Sequence, residues 1–367
     1  MRKIIAFALL AVMGCGESRV ESVKNIDFES VEKVSTDLLI EKAVPLASDS
    51  TELLGEYLWV MYDEDGFYAM NNYRGKGIHH FSTDGKHLGM VAEIGEAPGQ
   101  VPEIRNFRIL GEEVLVNSGM GNSLELHAFS KTGELLKSTP YSINAFAFYP
   151  VNKDEVWFYS SYNSVAGDHR LFVVDGAGEV KKELLPNDFN EKMLPMDEQS
   201  FFEGNEVVLF RESFKGNVYQ LSEEDSLKEV YTFDFGANSV PEKFWKMDAF
   251  EGMEMISKQG FSNITFLEEN DRYFVAYVDY QKERDSKKTL YVWNKKTDKD
   301  FVMEIDEELG YFNSLIGLQG DQLVFIAYSP YLVRNSEKLN LSDKAKASLA
   351  AVTEDSNPVI LYAKIPE

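Results

Sequence analysis

From Leu38 onward the chain is a succession of short apolar runs, rich in β-branched and aromatic residues, cut by polar turns. EYLWVMY (56–62), EVLV (113–116), EVWFY (155–159), EVVLF (206–210), YFVAY (273–277) and QLVFI (322–326) are examples. Each has the length of a strand and is bounded by Gly, Asn, Asp or Lys, the residues that end strands. Apolar positions at helical spacing are scarce, so the pattern predicts a mainly β chain.

A unit recurs. A strand enters a polar turn and leaves it again in FSTDGK (81–86), FSKTGE (129–134), VDGAGE (174–179), LSEEDS (221–226) and WNKKTD (293–298). Gly or Asp near the tip suits the positive φ of a tight hairpin. The first four copies begin 48, 45 and 47 residues apart, and the fifth follows after 72, leaving room for an insertion. Each unit also has an earlier strand pair around a turn, at Asp63–Gly66, Gly111-Glu112, 152–154, Gly204-Asn205, 269–271 and Gly320-Asp321. Repeats of 40–50 residues in an all-β chain mark four-stranded propeller blades. The expected fold is therefore an all-β, six-bladed β-propeller over residues 38–367. A strand within 38–46 (LLIEKAVPL) is expected to pair with one at 359–364, so that both termini complete one blade.

Two segments read as short helical insertions. One runs from Ser239, an N-cap followed by Pro241, to about Ser257. The other covers 342–352, with Ser342 as N-cap and an alanine-rich body.

The N-terminus has different chemistry. Arg2 and Lys3 precede an apolar run over 4–13, which is too short to cross a bilayer as a helix, about 20 residues, and suits an export signal. The run ends in Val12-Met13-Gly14-Cys15, and Cys15 is the only cysteine of the chain. This segment resembles the lipobox of bacterial lipoproteins. The resemblance implies a signal peptide over 1–14 and a lipidated tether and entry segment over 15–37. An ordinary export signal with an incidental cysteine is the alternative. Stable attachment takes more than one acyl chain. Without a second cysteine no internal disulfide forms, so the body must hold through its core.

The resemblance extends to the rest of the chain. GKH (85–87) followed by EIGEAPGQ (93–100), and the closing EDSNPVILY (354–362), are similar to segments of the six-bladed β-propeller lipoproteins common in the Bacteroidota, of the NHL/TolB-like type. Glu96-Ala97 stand where that family often has a basic residue and glycine, and Ser356 where it often has aspartate. The resemblance implies fold and address, an outer-membrane, lipid-anchored protein facing the periplasm or the surface. It implies no activity, since the family has none agreed.

Composition narrows the partners. Loss of residues 1–14 removes Arg2 and Lys3, leaving 35 basic against 61 acidic residues, a net charge of −26. That sign argues against nucleic acid. The membrane would be reached through the lipid on Cys15, and a peptide, a glycan or an envelope protein through one propeller face.

No catalytic or metal-ligating constellation is legible. None of the five histidines has a ligand spacing, and His79 and His80 on one strand must face opposite ways. There is no nucleophile elbow and no phosphate loop. Asp63–Gly66 lacks the distal acids of a calcium loop and reads as a hairpin. No cofactor is expected, although an axial divalent metal held by several blades would leave no local signature. The candidate binding residues are aromatic, amide and guanidinium side chains after central strands, Tyr73, Arg74, Tyr162, Asn163, Tyr328 and Tyr331. The readings carried forward are a non-enzymatic binding module, a hydrolase or lyase using an axial metal, and a subunit of an outer-membrane assembly.

Overall fold

The computed structural model describes residues 23–366 apart from 35–36, 49–52, 72–74, 121–122, 164–166, 190–191, 195, 197–198, 223–225 and 306–313. Two strands come first, β1 (Lys24–Asp27) and β2 (Ile40–Pro45). Blade 1 is β3 (Leu58–Tyr62), β4 (Gly66–Asn71), β5 (Gly77–Ser82) and β6 (His87–Glu93). Blade 2 is β7 (Asn106–Leu110), β8 (Glu113–Met120), β9 (Ser123–Ser130) and β10 (Leu135–Tyr141). Blade 3 is β11 (Ala147–Asn152), β12 (Glu155–Tyr159), β13 (His169–Asp175) and β14 (Val180–Pro186). Blade 4 is β15 (Phe201–Glu203), β16 (Val208–Arg211), β17 (Asn217–Ser222) and β18 (Ser226–Asp234). Blade 5 is β19 (Phe261–Glu269), β20 (Tyr273–Lys282), β21 (Asp285–Asn294) and β22 (Lys299–Ile305). Blade 6 takes β23 (Leu315–Gln319), β24 (Gln322–Ala327) and β25 (Val359–Lys364) from the C-terminal end and β2 as its outermost strand. The fold is a six-bladed β-propeller.

The ring closes in blade 6. β2 runs antiparallel to β25, with Val44 opposite Ile360 and Pro45 opposite Val359. Alternate residues of these strands face the two neighbouring blades. Val44, Ile360 and Tyr362 pack with Phe67 and Phe81 of blade 1, while Ala43, Leu361 and Ala363 pack with Tyr273, Val275 and Leu290 of blade 5. The period of two thus places both faces of a blade in apolar interfaces, and most of the core lies between blades.

Before closing the ring, the chain runs along its outside. β1 lies parallel to β18 at the outer edge of blade 4, and Ile26, 2% exposed, packs with Phe233 and Phe235. Phe28 meets Phe235 edge-on at 5.3 Å. Further on, the Val34 amide donates to the Val302 carbonyl at 2.9 Å, on the outer strand of blade 5. Residues 24–34 therefore cover strand edges that would otherwise be open to a foreign strand.

The hairpin between the third and fourth strands of blades 1 to 3 explains the repeated glycine. Gly85 and Gly178 have φ of 86° and 90°. An added Cβ would stand 2.2 Å from the Pro45 carbonyl oxygen at Gly85, and 2.0 Å from that of Pro140 at Gly178. In both cases the carbonyl belongs to the outermost strand of the preceding blade. The glycine therefore serves turn geometry and blade packing together.

The helical insertions differ in detail from expectation. Ser239 and Pro241 lead into a short 3-10 turn, Glu242–Lys246, and the helix α1 (Ala249–Gln259) starts later. Its cap is Asp248, whose side chain accepts from the Phe250 amide at 3.0 Å. An additional helix, α2 (Ser329–Asn335), begins at Ser329-Pro330, where proline is favoured in a first turn. The expected last helix is α3 (Asp343–Leu349), and Ser342 caps it by accepting from the Ala345 amide at 3.1 Å. α2 and α3 pack through Leu332 and Ala345 into the core of blade 6.

Candidate functional site: the axial channel

The innermost strands β3, β7, β11, β15, β19 and β23 stand side by side around the axis. They enclose a channel of about 810 Å³. Its mouth lies among the turns that join first and second strands, marked by Asp63, Glu64, Gly111, Glu112 and Gln319. The wall mixes apolar surface (Leu58, Val60, Phe202, Phe266, Leu318) with ionisable and hydroxyl groups.

Three polar assemblies define its electrostatics. In the first, the Arg108 guanidinium is buried, donates to the Phe201 carbonyl at 2.8 Å and lies 5.6 Å from the Tyr149 ring centroid. The Tyr149 hydroxyl reaches both oxygens of Glu203, at 3.0 and 3.1 Å. Blades 2, 3 and 4 are joined in this way. In the second, Lys131 of blade 2 spans to blade 1, with Nζ 2.9 Å from Asp63 and 2.5 Å from Asp65. Burial opposes the charge on Lys131, but the two carboxylates hold its pKa above the ordinary value.

The third is Glu268 on β19. Burial pushes its carboxyl up to about 8, the Leu318 backbone amide pulls the other way, and the negative charge of Glu203 adds to the rise. Tyr62 lies close by. Burial raises its phenol well above the ordinary value, and the charge of Glu268 adds to this. Glu268 keeps some contact with channel water but has no Lys or Arg partner among the described residues. Two carboxyl groups from adjacent blades therefore look into one cavity, one held by a tyrosine hydroxyl and one by a backbone amide.

The residues singled out from the sequence are elsewhere. Tyr73 and Arg74 lie outside the described residues, as does Cys15. Tyr162 is 1% exposed, donates to the Ser213 carbonyl at 2.7 Å and packs with Met193, Phe244 and Trp245. Asn163 is buried beside it, its carbonyl accepting from Asn187 at 3.2 Å. Tyr328 accepts from the Tyr57 amide at 3.0 Å, and Tyr331, 38% exposed, sits on α2. None of these four lines the channel. Among the described residues, no three His, Cys, Asp or Glu side chains come together as a metal site. His79 and His80 do face opposite ways. His79 Nδ1 is 3.1 Å from His87 Nε2, and His80 stacks on Tyr68 at 4.3 Å.

The channel carboxylates carried one faint signal. Glu203 and Glu268 occur near the ends of the first strands of blades 4 and 5, in FFEG (201–204) and FLEEN (266–270). Superposing the repeat units on their first turn would have aligned Glu203 with Glu269, one residue past Glu268, pointing to the region but not to the residue. Reading for spacing within one segment could not do that.

A family model described as a domain of unknown function, DUF4934, matches residues 32–364. The search of curated proteins finds no significant match. Two crystal structures show the same fold. A protein from Bacteroides fragilis named as a candidate exported protein superposes with a TM-score of 0.74 at 14% identity, over 94% of this chain and 100% of that one. A member of the DUF4221 family from Bacteroides vulgatus superposes with a TM-score of 0.55 at 12% identity, over 89% of this chain and 97% of that one. At these identities the likeness carries the fold alone.

Proposed function

The chain belongs to the DUF4934 family, and we propose that it is an exported, non-enzymatic binding propeller that takes its ligand in the axial channel. The observation that carries this reading is the channel itself, about 810 Å³ of mixed apolar and polar wall at the centre of a rigid ring. Ligand sites are concave, largely preformed and furnished with a few convergent polar groups. A small ligand, or a side chain of a peptide or glycan inserted from the mouth, suits that volume.

The address is part of the proposal. Residues 1–14 serve as export signal and Cys15 carries the lipid. The naming of the Bacteroides fragilis relative as a candidate exported protein supports export. No helix of the described residues is long and apolar enough to cross a membrane. Labelling cells with a fatty-acid analogue tests the anchor: the wild-type chain is expected to take up label and Cys15→Ala to take up none. Label on the alanine variant would overturn it.

For the binding role, the test is a thermal-shift screen of peptides and glycans against the wild type and Thr265→Trp. Thr265 lines the channel, and an indole there would occupy it. A ligand that stabilises the wild type and leaves the tryptophan variant unmoved is expected. Stabilisation of both alike would place the ligand elsewhere and remove the reading.

A further inference from the structure

The charges lining the channel are not balanced. Three cations line it, and all three are engaged: Arg108 on the Phe201 carbonyl, Lys131 between Asp63 and Asp65, and Lys288 against the face of Tyr277 at 5.7 Å. Three carboxylates of the same wall, Glu64, Glu112 and Glu268, have no Lys or Arg partner among the described residues, and Glu203, exposed and held by the Tyr149 hydroxyl, shares the field of Arg108 with no direct ion pair. They are graded in depth. Glu64 and Glu112 are exposed in the turns at the mouth, Glu203 ends its strand, and Glu268 lies further in beside Tyr62.

Aromatic faces accompany the acids. Tyr62, Phe202, Phe266 and Tyr277 all contribute to the wall. Such rings attract a cation electrostatically while giving apolar cover to the stem that carries it. A carboxylate surrounded by protein and without a counter-charge is costly, and a bound cation relieves that cost.

Resting on the proposed channel-binding role, we infer that the channel is a receptor for a cationic nitrogen, the guanidinium or ammonium head of an arginine or lysine side chain presented by a peptide, with Glu203 and Glu268 as its carboxylates. Glu64 and Glu112 draw the charge to the mouth. The aromatic walls cover the aliphatic stem, and the head displaces channel water between blades 4 and 5. Because the free Glu268 holds a proton near neutral pH, arrival of the cation expels it, and binding releases protons.

The experiment is calorimetric titration of the full chain in detergent micelles with blocked Gly-Arg-Gly, its lysine counterpart, and the neutral analogue with citrulline in place of arginine. The arginine peptide is expected to bind at least tenfold more tightly than the citrulline peptide. Glu203→Gln and Glu268→Gln should each weaken it about tenfold while thermal melts show them folded. Titration at pH 7 in buffers of different ionisation heat should reveal proton release by the wild type and none by Glu268→Gln. Butylguanidinium is the arm for a free small amine. Binding as tight as that of the peptide would make the head group alone the ligand and overturn the peptide assignment. Equal affinity for arginine and citrulline peptides, or none for either, would overturn the inference. A neutral glycan or peptide lost only in Thr265→Trp would then keep the channel-binding role alive. Calcium or magnesium bound alone and abolished by both glutamine variants would overturn it in favour of a metal site.

Discussion

Glu268 makes the folded protein's stability depend on pH in an unusual direction. Its unfolded carboxyl titrates near 4.5, and its folded one near 8. Between those values the folded chain holds a proton that the unfolded chain has released, so stability falls as pH rises through the window and levels off above it. A shift of one unit is worth about 1.4 kcal/mol, and channel water screens part of it, so a loss on the order of 2 kcal/mol is expected. Urea denaturation at pH 5.5 and 8.5 checks this, and Glu268→Gln should flatten the difference. Glu212 behaves in the opposite way. Burial alone would raise its pKa, but Arg170 and Lys215 pull it net below the ordinary carboxylate value. The Arg170 fork holds it at 2.9 and 3.3 Å, Lys215 at 2.7 Å, and the Tyr159 hydroxyl at 3.1 Å. Its contribution is present above the ordinary carboxylate range and is lost as pH falls through the folded value. Glu212→Gln strands a buried guanidinium and should cost about 3 kcal/mol, read from the same denaturation curves. Neither role was legible in the sequence, where Glu212 stands beside Arg211 and Glu268 beside Glu269, and where Arg170, the main partner of Glu212, and Leu318, whose amide meets Glu268, stand tens of residues away. Tyr162 shows the converse. An aromatic after a central strand reads as a loop-borne ligand contact, but the insertion carrying Phe244 and Trp245 folds over it and makes it core.

Elements were far more legible than residues, because the repeat expresses a local physical demand. The glycine of the third hairpin must turn the chain and also admit the preceding blade, and it recurs in blades 1 to 3, whereas LSEEDS of blade 4 and WNKKTD of blade 5 turn without it. Gly85→Ala is therefore expected to destabilise by about 2–3 kcal/mol, from positive φ plus collision with the Pro45 carbonyl. Gly111, with φ of 56° and open space around it, isolates the conformational part, and Gly111→Ala should cost only about 1 kcal/mol. Equal costs in urea denaturation would remove the packing role. The closing pair of strands was legible for a similar reason, since 38–46 and 359–364 each lack a partner in their own unit. Residues 24–34 were not. Only Ile26, Phe28, Val31 and Val34 face inward, and a short strand with one buried side among acids reads as polar linker. Ile26→Ala should cost roughly 2 kcal/mol, since it removes a buried side chain from between Phe233 and Phe235. Hydrogen exchange should then rise over 24–34 first, and unchanged exchange there would show the segment to be held by its backbone bonds instead.

At the scale of the whole molecule, the course of the N-terminal segment relates the anchor to the channel. β18 runs from its hairpin with β17 toward the opposite face of the ring, and β1 is parallel to it. Lys24 lies opposite Tyr231, past the middle of β18, and its Nζ reaches the hairpin of blade 5, 4.0 Å from the Trp293 ring centroid and 3.5 Å from Asp298. The channel mouth is on the face bearing this hairpin, between Glu64 and Glu112. Nine peptide steps separate Cys15 from Lys24, which reach about 30 Å at full extension. If Cys15 carries lipid, a tether of this length is expected to keep the mouth toward the membrane and α1 on the far side. A chain of net charge −26 on an anionic surface would stand off as far as the tether allows, and less so in high salt. Biotin placed on a cysteine at position 112, in the turn at the mouth, or at position 250, which is 74% exposed on α1, reports the orientation. In membrane-bound protein, streptavidin should capture the position-250 biotin readily and the position-112 biotin slowly. A twenty-residue Gly-Ser insertion after Cys15 should equalise the two. Equal capture with the native tether would mean that the tether sets no orientation, and faster capture at position 112 would mean that the mouth faces outward; either leaves a channel open to large partners instead of one reached through the narrow space above the lipid.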